Sequence, residues 1–358
     1  LPVLNEVSTK EFLKKDDPLQ GTRLFEQREN KFYDITEKSG VSGSALTYGL
    51  GIAISDINND GWQDFYISND YTVPDYLYIN NKNGTFTDQL GKQMGHTSHF
   101  SMGNNVADIN NDGWQDIFTL DMLPKNNKRQ KLLLSPDNYE KFNLNIRSGF
   151  HHQYMRNMLQ LNNGDNTFSE IGQLSCISNT DWSWAPLFAD FDNDGFKDLF
   201  ITNGYYRDYT NLDFINYMED FVQSKGRLQR QDVLELIKKM PASDLTNFYY
   251  TNTDGINFKD NTSHAGIDQP ANSNGAIYAD FDNDGDLDLV VNNINKPAFI
   301  YRNDSSKKNN TFLNIELKGE NKNTNGIGTK ISAFSNGHIQ VVEQMPTQGY
   351  LSTVSTIL

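Results

Sequence analysis

The chain has 358 residues, a formal net charge of −15 and a single cysteine, Cys176. That length is ample for a large core. The acidic balance excludes nucleic acid, whose phosphates would be repelled, and one cysteine excludes an internal disulfide. No apolar run approaches the roughly 18 residues of a membrane-spanning helix.

Aromatic residues make up 12% of the chain, with 17 Tyr and 22 Phe, and glycines punctuate it, a composition that fits all-β structure. Near the N terminus, Ser8 and Glu11 predict a capping box for a short helix. RLFEQRENKFYD at 23–34 reads as a degenerate β-hairpin. A strand, GLGIAIS, then enters the loop DINNDGWQD at 56–64, the strand FYIS leaves it, and the hairpin YLYINNKNGTFTD follows at 76–88. HTSH places His96 and His99 before the second loop, DINNDGWQD at 108–116. Residues 121–150 form a basic, partly helical insertion that ends at His151 and His152, followed by the hairpin MLQLNNGDNTFSE at 158–170. Cys176 is expected to be a small core residue.

Trp182 and Trp184 precede the third loop, DFDNDGFKD at 190–198. A second insertion spans 204–246, with an apolar face of Phe214, Tyr217, Met218, Phe221 and Val222 on one helix. Leu228, Val233, Leu234, Leu236, Ile237 and Met240 mark another, stopped by Pro241. The hairpin FYYTNTDGINFKD at 248–260, the fourth loop DFDNDGDLD at 280–288 and the half-hairpin FIYRND at 299–304 complete the repeats. NNTFLNIELKG at 309–319, NTNGIGTKISAF at 323–334 and GHIQVVEQ at 337–344 are expected as strands of a small C-terminal β-domain, 309–358.

The four nine-residue loops carry oxygen-bearing side chains at positions 1, 3, 5 and 9 and Gly at position 6. Ca²⁺ takes six to eight oxygens at roughly 2.3–2.6 Å, and Gly permits the sharp turn that gathers them. The first loop would use Asp56, Asn58, Asp60, the carbonyl of Trp62, and Asp64. The second would use Asp108, Asn110, Asp112, the carbonyl of Trp114, and Asp116. The third offers Asp190, Asp192, Asp194, the carbonyl of Phe196, and Asp198. The fourth offers Asp280, Asp282, Asp284, the carbonyl of Asp286, and Asp288. An EF-hand is excluded: position 12 is Ile67, Thr119, Ile201 or Val291, and the flanks read as strands. Four bound Ca²⁺ ions would offset about half of the acidity. Such ions suit the millimolar calcium of an extracellular setting.

Strand, loop, strand and hairpin make a four-stranded unit, and the loops start 52, 82 and 90 residues apart around variable insertions. Repetition of such units means a β-propeller, here spanning 1–306, of which the chain supplies about four.

On these loops and their preceding Gly-x-x-x-Ala/Ser-Asp strands, the repeats resemble FG-GAP/VCBS repeats, the blades of integrin-α-like propellers. The end, from Thr311 through NGIGTK to QMPTQGY, resembles an ASPIC/UnbV domain. Together with GFHHQYMRNMLQLNNG, NTDWSWAPLFADFDNDG and NGYYRDYTNLDF, the combination resembles the cartilage-acidic-protein-like family, in particular large surface proteins of Bacteroidota. The resemblance implies seven blades in a full protein, with further blades upstream of Leu1 and the rest of the C-terminal domain beyond Leu358. It also implies export to the outer membrane and a place beside a TonB-dependent import system.

The expected function is therefore non-enzymatic: an extracellular or surface propeller with structural calcium that binds a protein partner. The alternative is a glycan-binding module that uses Trp182, Trp184 and the Tyr-rich 204–209 loop. His96, His99, His151 and His152 are expected to be structural, because no third ligand motif accompanies them. No nucleophile elbow, phosphate loop or zinc signature is present.

Overall fold

The computed structural model describes residues 6–134, 138–294, 296–305, 312–335 and 337–358. Four antiparallel sheets follow one another, each with its strands in chain order. The first holds Gly49–Ser55, Asp64–Asn69, Tyr76–Asn80 and Phe86–Asp88. The second holds Asn104–Ala107, Asp116–Thr119, Met158–Asn162 and Phe168–Glu170. Ser183–Ala189, Asp198–Asn203, Phe248–Asn252 and Phe258–Asp260 form the third, and Ser273–Ala279, Asp288–Asn293 and Phe299–Tyr301 the fourth. The first strands of consecutive sheets lie side by side. The chain is thus all-β and propeller-like, with the nine-residue loops at one common end of the sheets.

The continuous apolar runs have a simple cause. Successive strand side chains point to opposite faces, and both faces of the second and third sheets are covered. In the strand Asp198–Asn203, Leu199 and Ile201 enter the core shared with Phe118, Leu159 and Phe188, while Phe200 enters the next one, with Leu187, Ala276 and Val291. Ile117 packs with Tyr66 and Leu77 of the first sheet, and its neighbour Phe118 faces the third.

A repeated polar contact fixes each sheet to the one before it. Asn162 Nδ2 donates to the Ile57 carbonyl, Asn252 Nδ2 to that of Ile109 and Asn303 Nδ2 to that of Phe191. Each amide also bonds within its own sheet, to the carbonyl of Gln115, Lys197 or Leu287. Asn80, Asn162 and Asn252 end the third strands of the first three sheets and Asn303 follows that of the fourth, and the backbone N–H of each donates to the aspartate at loop position 9.

Several expectations need correction. The N-terminal helix spans Glu6–Lys14, so Ser8 lies inside it rather than at its cap. Cys176 is exposed, in a turn with φ 59°, and Ile177 takes the core position beside it. The insertion helices occupy Leu212–Lys225 and Arg230–Lys239, yet of their apolar faces only Phe214 and Leu236 are buried. Val233, Leu234 and Ile237 remain more than 40% exposed. The expected strand at 309–319 begins outside the described residues, and from Phe312 onward it makes only an isolated bridge, Glu316 to Ile357. The strands Lys330–Ser335 and His338–Glu343 do form, as a hairpin.

Asn252→Ala removes one inter-sheet bond and leaves two carbonyls unpaired. Loss of about 1–3 kcal/mol is expected, read as a lowered urea midpoint with an unchanged slope. The exposed turn residue Asn81 serves as a control, and an equal effect of Asn81→Ala would remove the special role of Asn252.

Candidate metal centre

Each loop is wound by its own aspartates. At position 1, Asp56 Oδ1 accepts from Asp60 N (2.9 Å) and Oδ2 from Gly61 N (3.0 Å). Asp108, Asp190 and Asp280 repeat both bonds. At position 5, Asp60, Asp112, Asp194 and Asp284 each accept from the amide of position 7. The Gly at position 6 has φ between 85° and 101° in all four loops, which is why no other residue stands there. These bonds turn the side chains inward. In the third loop, carboxylate oxygens of Asp190, Asp192 and Asp194 lie within 4.8 Å of one another, as do those of Asp280, Asp282 and Asp284 in the fourth.

The first two loops differ at position 3. Asn58 and Asn110 donate their side-chain amides to Asp60 and Asp112 (3.0 and 2.9 Å), so a neutral donor sits where the other loops hold a carboxylate. Lys82 also reaches Asp60, at 3.3 Å.

Position 9 plays a different part. Asp64, Asp116, Asp198 and Asp288 are buried, and each accepts the backbone N–H of the third-strand Asn of its unit. The other oxygen of Asp64, Asp116 and Asp288 takes the amide of position 2, and that of Asp198 takes the Tyr249 hydroxyl (2.7 Å). Burial pushes Asp64 up to about 7 and both Asp116 and Asp198 up to about 8, against these hydrogen bonds. Asp190 is pushed up to about 6 by burial, with repulsion from Asp194 and Asp192 adding to it. Converging hard oxygens whose negative charge is disfavoured fit a divalent cation such as Ca²⁺. The compact group comprises positions 1, 3 and 5, and position 9 braces it from behind.

Sequence reasoning passed over position 4. It is Asn in every loop, with φ between 56° and 60°, and it joins neighbouring loops. Asn59 Nδ2 donates to the Gly113 carbonyl (3.0 Å), Asn111 to that of Gly195 (2.9 Å), and Asn193 to the Asp286 carboxylate (2.9 Å). Invariance among the four copies was the available signal.

The C-terminal hairpin lies against the same loops. Glu343 accepts from Ser55 Oγ, from the amide of Asp56 and from Gln63 Nε2. Lys330 donates to Asn59 Oδ1 and to the Gly113 carbonyl. Half-buried Lys197 joins the carbonyls of Asp108 (2.9 Å) and Val341 (3.2 Å). Burial lowers its ammonium pKa, opposed by Asp108 and Asp190.

The histidines do not form a comparable centre. The strands Thr97–Ser98 and Gln153–Tyr154 pair in parallel and bring the two histidine motifs near each other. His96 is then held by Glu170 and Arg156 (both 3.3 Å), and His151 by the Met94 carbonyl (2.9 Å). Among the described residues the compact carboxylate groups are the only clusters with metal-ligand spacing. Trp182 stacks on Tyr205 at 4.2 Å, and Trp184 contacts Tyr350 at 5.0 Å.

Comparison with known proteins agrees with this geometry. The FG-GAP-like repeat profile matches residues 56–119 and 149–201, and the ASPIC and UnbV profile matches 319–358. The chain carries FG-GAP-like repeats and an ASPIC and UnbV segment. Integrin alpha-3 of Mus musculus and of Cricetulus griseus are each 32% identical over 97 residues, 24% of this chain and 9% of theirs. Integrin alpha-6 of Gallus gallus is 34% identical over 86 residues, 21% of this chain and 8% of its own. The chain therefore spans less than a tenth of these relatives. A solved structure described as the basis of recognition of non-reducing terminal N-acetylglucosamine by an Agrocybe aegerita lectin has a TM-score of 0.38 at 14% identity, covering 90% of this chain and 69% of that one. FG-GAP repeats suggest an extracellular protein-interaction module, and no described helix is long and apolar enough to cross a membrane.

Two predictions follow from the loops and their surroundings. Glu343→Ala leaves the Asp56 amide without its partner, so hydrogen exchange should accelerate across 330–343 while the strands of the second and third sheets keep their protection. Unchanged exchange in the hairpin would show that Glu343 does not hold it. The second concerns Asp75, which is buried at the end of the first sheet remote from the loops, with bonds from Tyr66 Oη, Asn69 N and Ser101 Oγ. Burial pushes its carboxyl up from 3.8 to about 7. The folded state therefore holds the proton more tightly than the unfolded one. The contribution of Asp75 is complete below pH 3.8 and is lost as pH rises through about 7. With calcium saturating, Asp75→Asn should flatten the fall in stability over that window. Asp121 and Asp70, each pushed up to about 6 by burial, contribute to the slope that remains. A slope equal to that of the parent chain would count against the assignment.

Proposed function

We propose that the chain is a calcium-stabilised, non-enzymatic propeller module that binds a protein partner at an extracellular surface. The observation that carries this reading is the set of four aspartate-wound loops at one end of the sheets, the first three each tied to the next through a position-4 Asn and the last two each gathering three carboxylates. Calcium would be held by Asp56, Asn58 and Asp60, by Asp108, Asn110 and Asp112, by Asp190, Asp192 and Asp194, and by Asp280, Asp282 and Asp284. The carbonyls of Trp62, Trp114, Phe196 and Asp286 and the position-9 carboxylates would complete each set. The bound ion supplies charge neutralisation and cross-linking. The chain's own residues supply the preformed turn. The FG-GAP repeats support the partner-binding part of this reading. An outer-membrane address beside an import system belongs to the same proposal and rests on the resemblance alone.

A site filled to a hundredfold over its dissociation constant adds about 2.7 kcal/mol of stability. Excess EDTA should therefore lower the melting temperature by many degrees, and calcium should restore it. The all-carboxylate third and fourth loops should bind more tightly than the Asn-containing first two, because ligand charge raises affinity. In calcium titrations, Asp194→Ala or Asp284→Ala should then remove a high-affinity step, and Asp60→Ala a weaker one. A melting curve indifferent to EDTA would sink the calcium reading. Recovery of the same proteins from native membranes with and without chelator tests the partner.

A further inference from the structure

The end of the sheets opposite the cation loops carries a different chemistry. The chain enters the third sheet through Trp182–Trp184 and leaves its second strand into the turn 204–209, so both segments meet at that end. Between them and the start of the fourth sheet lies an open cavity of about 360 Å³, lined by Trp184, Tyr205, Tyr206, Arg207, Asn274 and Ile294. That volume falls within the roughly 300–1,000 Å³ of small-molecule sites. From this cavity we infer that the chain binds a saccharide there, a property that goes beyond the calcium-scaffold reading and does not depend on it.

Three observations support the assignment. First, the aromatic walls are fixed in advance. Trp184 Nε1 donates to the Gly204 carbonyl (2.6 Å), and its ring contacts Tyr350 at 5.0 Å. Tyr205 is held against Trp182 at 4.2 Å and 16°, with Tyr209 completing the cluster. Gly204, at φ 150°, passes so close to Asn272 that a Cβ would lie 2.3 Å from its Cα, which pins the turn to the fourth sheet. Preorganised walls lower the entropy cost of binding.

Second, the polar groups are hydrogen-bonding groups suited to hydroxyls. Arg207 lies 4.9 Å from the Tyr206 ring and is anchored by one nitrogen to the Met240 carbonyl (3.0 Å). Its five donors exceed what that single bond uses. Tyr206, 41% exposed, and Asn274 add a phenol and an amide. Flat aromatic faces beside directional donors match a pyranose, which has an apolar C–H face and a rim of hydroxyls. An aliphatic ligand would leave Arg207 unsatisfied, and a cationic one would meet its charge.

Third, among the described residues the lining contains no carboxylate. Glycoside cleavage needs two, about 5–10 Å apart across the bond. The cavity is thus equipped to hold a sugar and not to hydrolyse it.

The test uses the calcium-loaded chain, a panel of neutral and acidic oligosaccharides, and titration by calorimetry and tryptophan fluorescence. At least one oligosaccharide is expected to bind and to shift the emission, with no product formed on prolonged incubation. Tyr206→Ala and Arg207→Ala should each weaken binding at least tenfold, Tyr206→Ala with an unchanged melting temperature and Arg207→Ala with only the small fall expected from losing its bond to the Met240 carbonyl. Trp184→Phe should remove most of the emission change. No binding across the panel at millimolar sugar overturns the proposal, as does binding that survives both substitutions. Because calcium dependence of melting is measured separately, failure here leaves the calcium reading standing.

Discussion

One hydrogen-bond relay holds the architecture together. A buried aspartate at loop position 9 takes the backbone N–H of an asparagine in the third strand, and that asparagine's amide reaches the loop carbonyl of the preceding sheet. Apolar packing alone is non-directional, and strands buried on both faces could slide against their neighbours without much change in buried area. The relay forbids this. It fixes where each loop stands relative to the one before, so all four loops gather at one end, and the position-4 asparagines can then bond from loop to loop. Burial of the relay also makes it expensive to break, since each lost partner strands a polar atom away from water.

The same geometry crowds negative charge. Position 9 lies behind position 1 in a region from which water is excluded, and burial outweighs the backbone amides that stabilise each carboxylate. The protein offsets part of this with its own cations. Lys82 stands by the first loop, and Lys197 and Lys330 bond to loop carbonyls instead of carboxylates. In the third and fourth loops an additional carboxylate replaces the amide of Asn58 and Asn110, so the crowding is greatest where the ligand set is richest.

What could be read from the sequence follows the same logic. The loops, their flanking strands and the hairpins were legible because each is local and appears several times, so chance matches cancel. The first three units emerged whole, with four strands each, for that reason. Contacts between units were harder. The relay asparagines Asn162, Asn252 and Asn303 and the bridging Asn59, Asn111 and Asn193 repeat as faithfully as the ligands, but their partners lie in another unit, beyond any local pattern. Cys176 shows the limit of composition: its type favours burial, yet a turn with positive φ turns it outward and gives the core to Ile177. The insertion helices show the converse. Their apolar spacing is real, but Val233, Leu234 and Ile237 face outward, because periodicity reports a face without reporting what covers it.

The C-terminal segment links the two ends of the sheets. Glu343 bonds to the first loop, Gly349 bridges to Asn104 at the start of the second sheet, and Tyr350 meets Trp184 at the far end of the third. Between these anchors the chain turns at Met345, whose amide bonds to the Glu343 carbonyl (2.8 Å), and the short strand Thr347–Gln348 then packs against the inner strands Gly49–Ser55 and Ser183–Ala189, with Gly349 beside Ala185 and Leu187. The segment is thus anchored by the Glu343 carboxylate at the loop end and by the Tyr350 ring against Trp184 at the other. A single stretch of chain makes the position of Trp184 answerable to the same element that rests on Asp56. The nine-residue loops and the aromatic cavity are thus joined through one segment of chain.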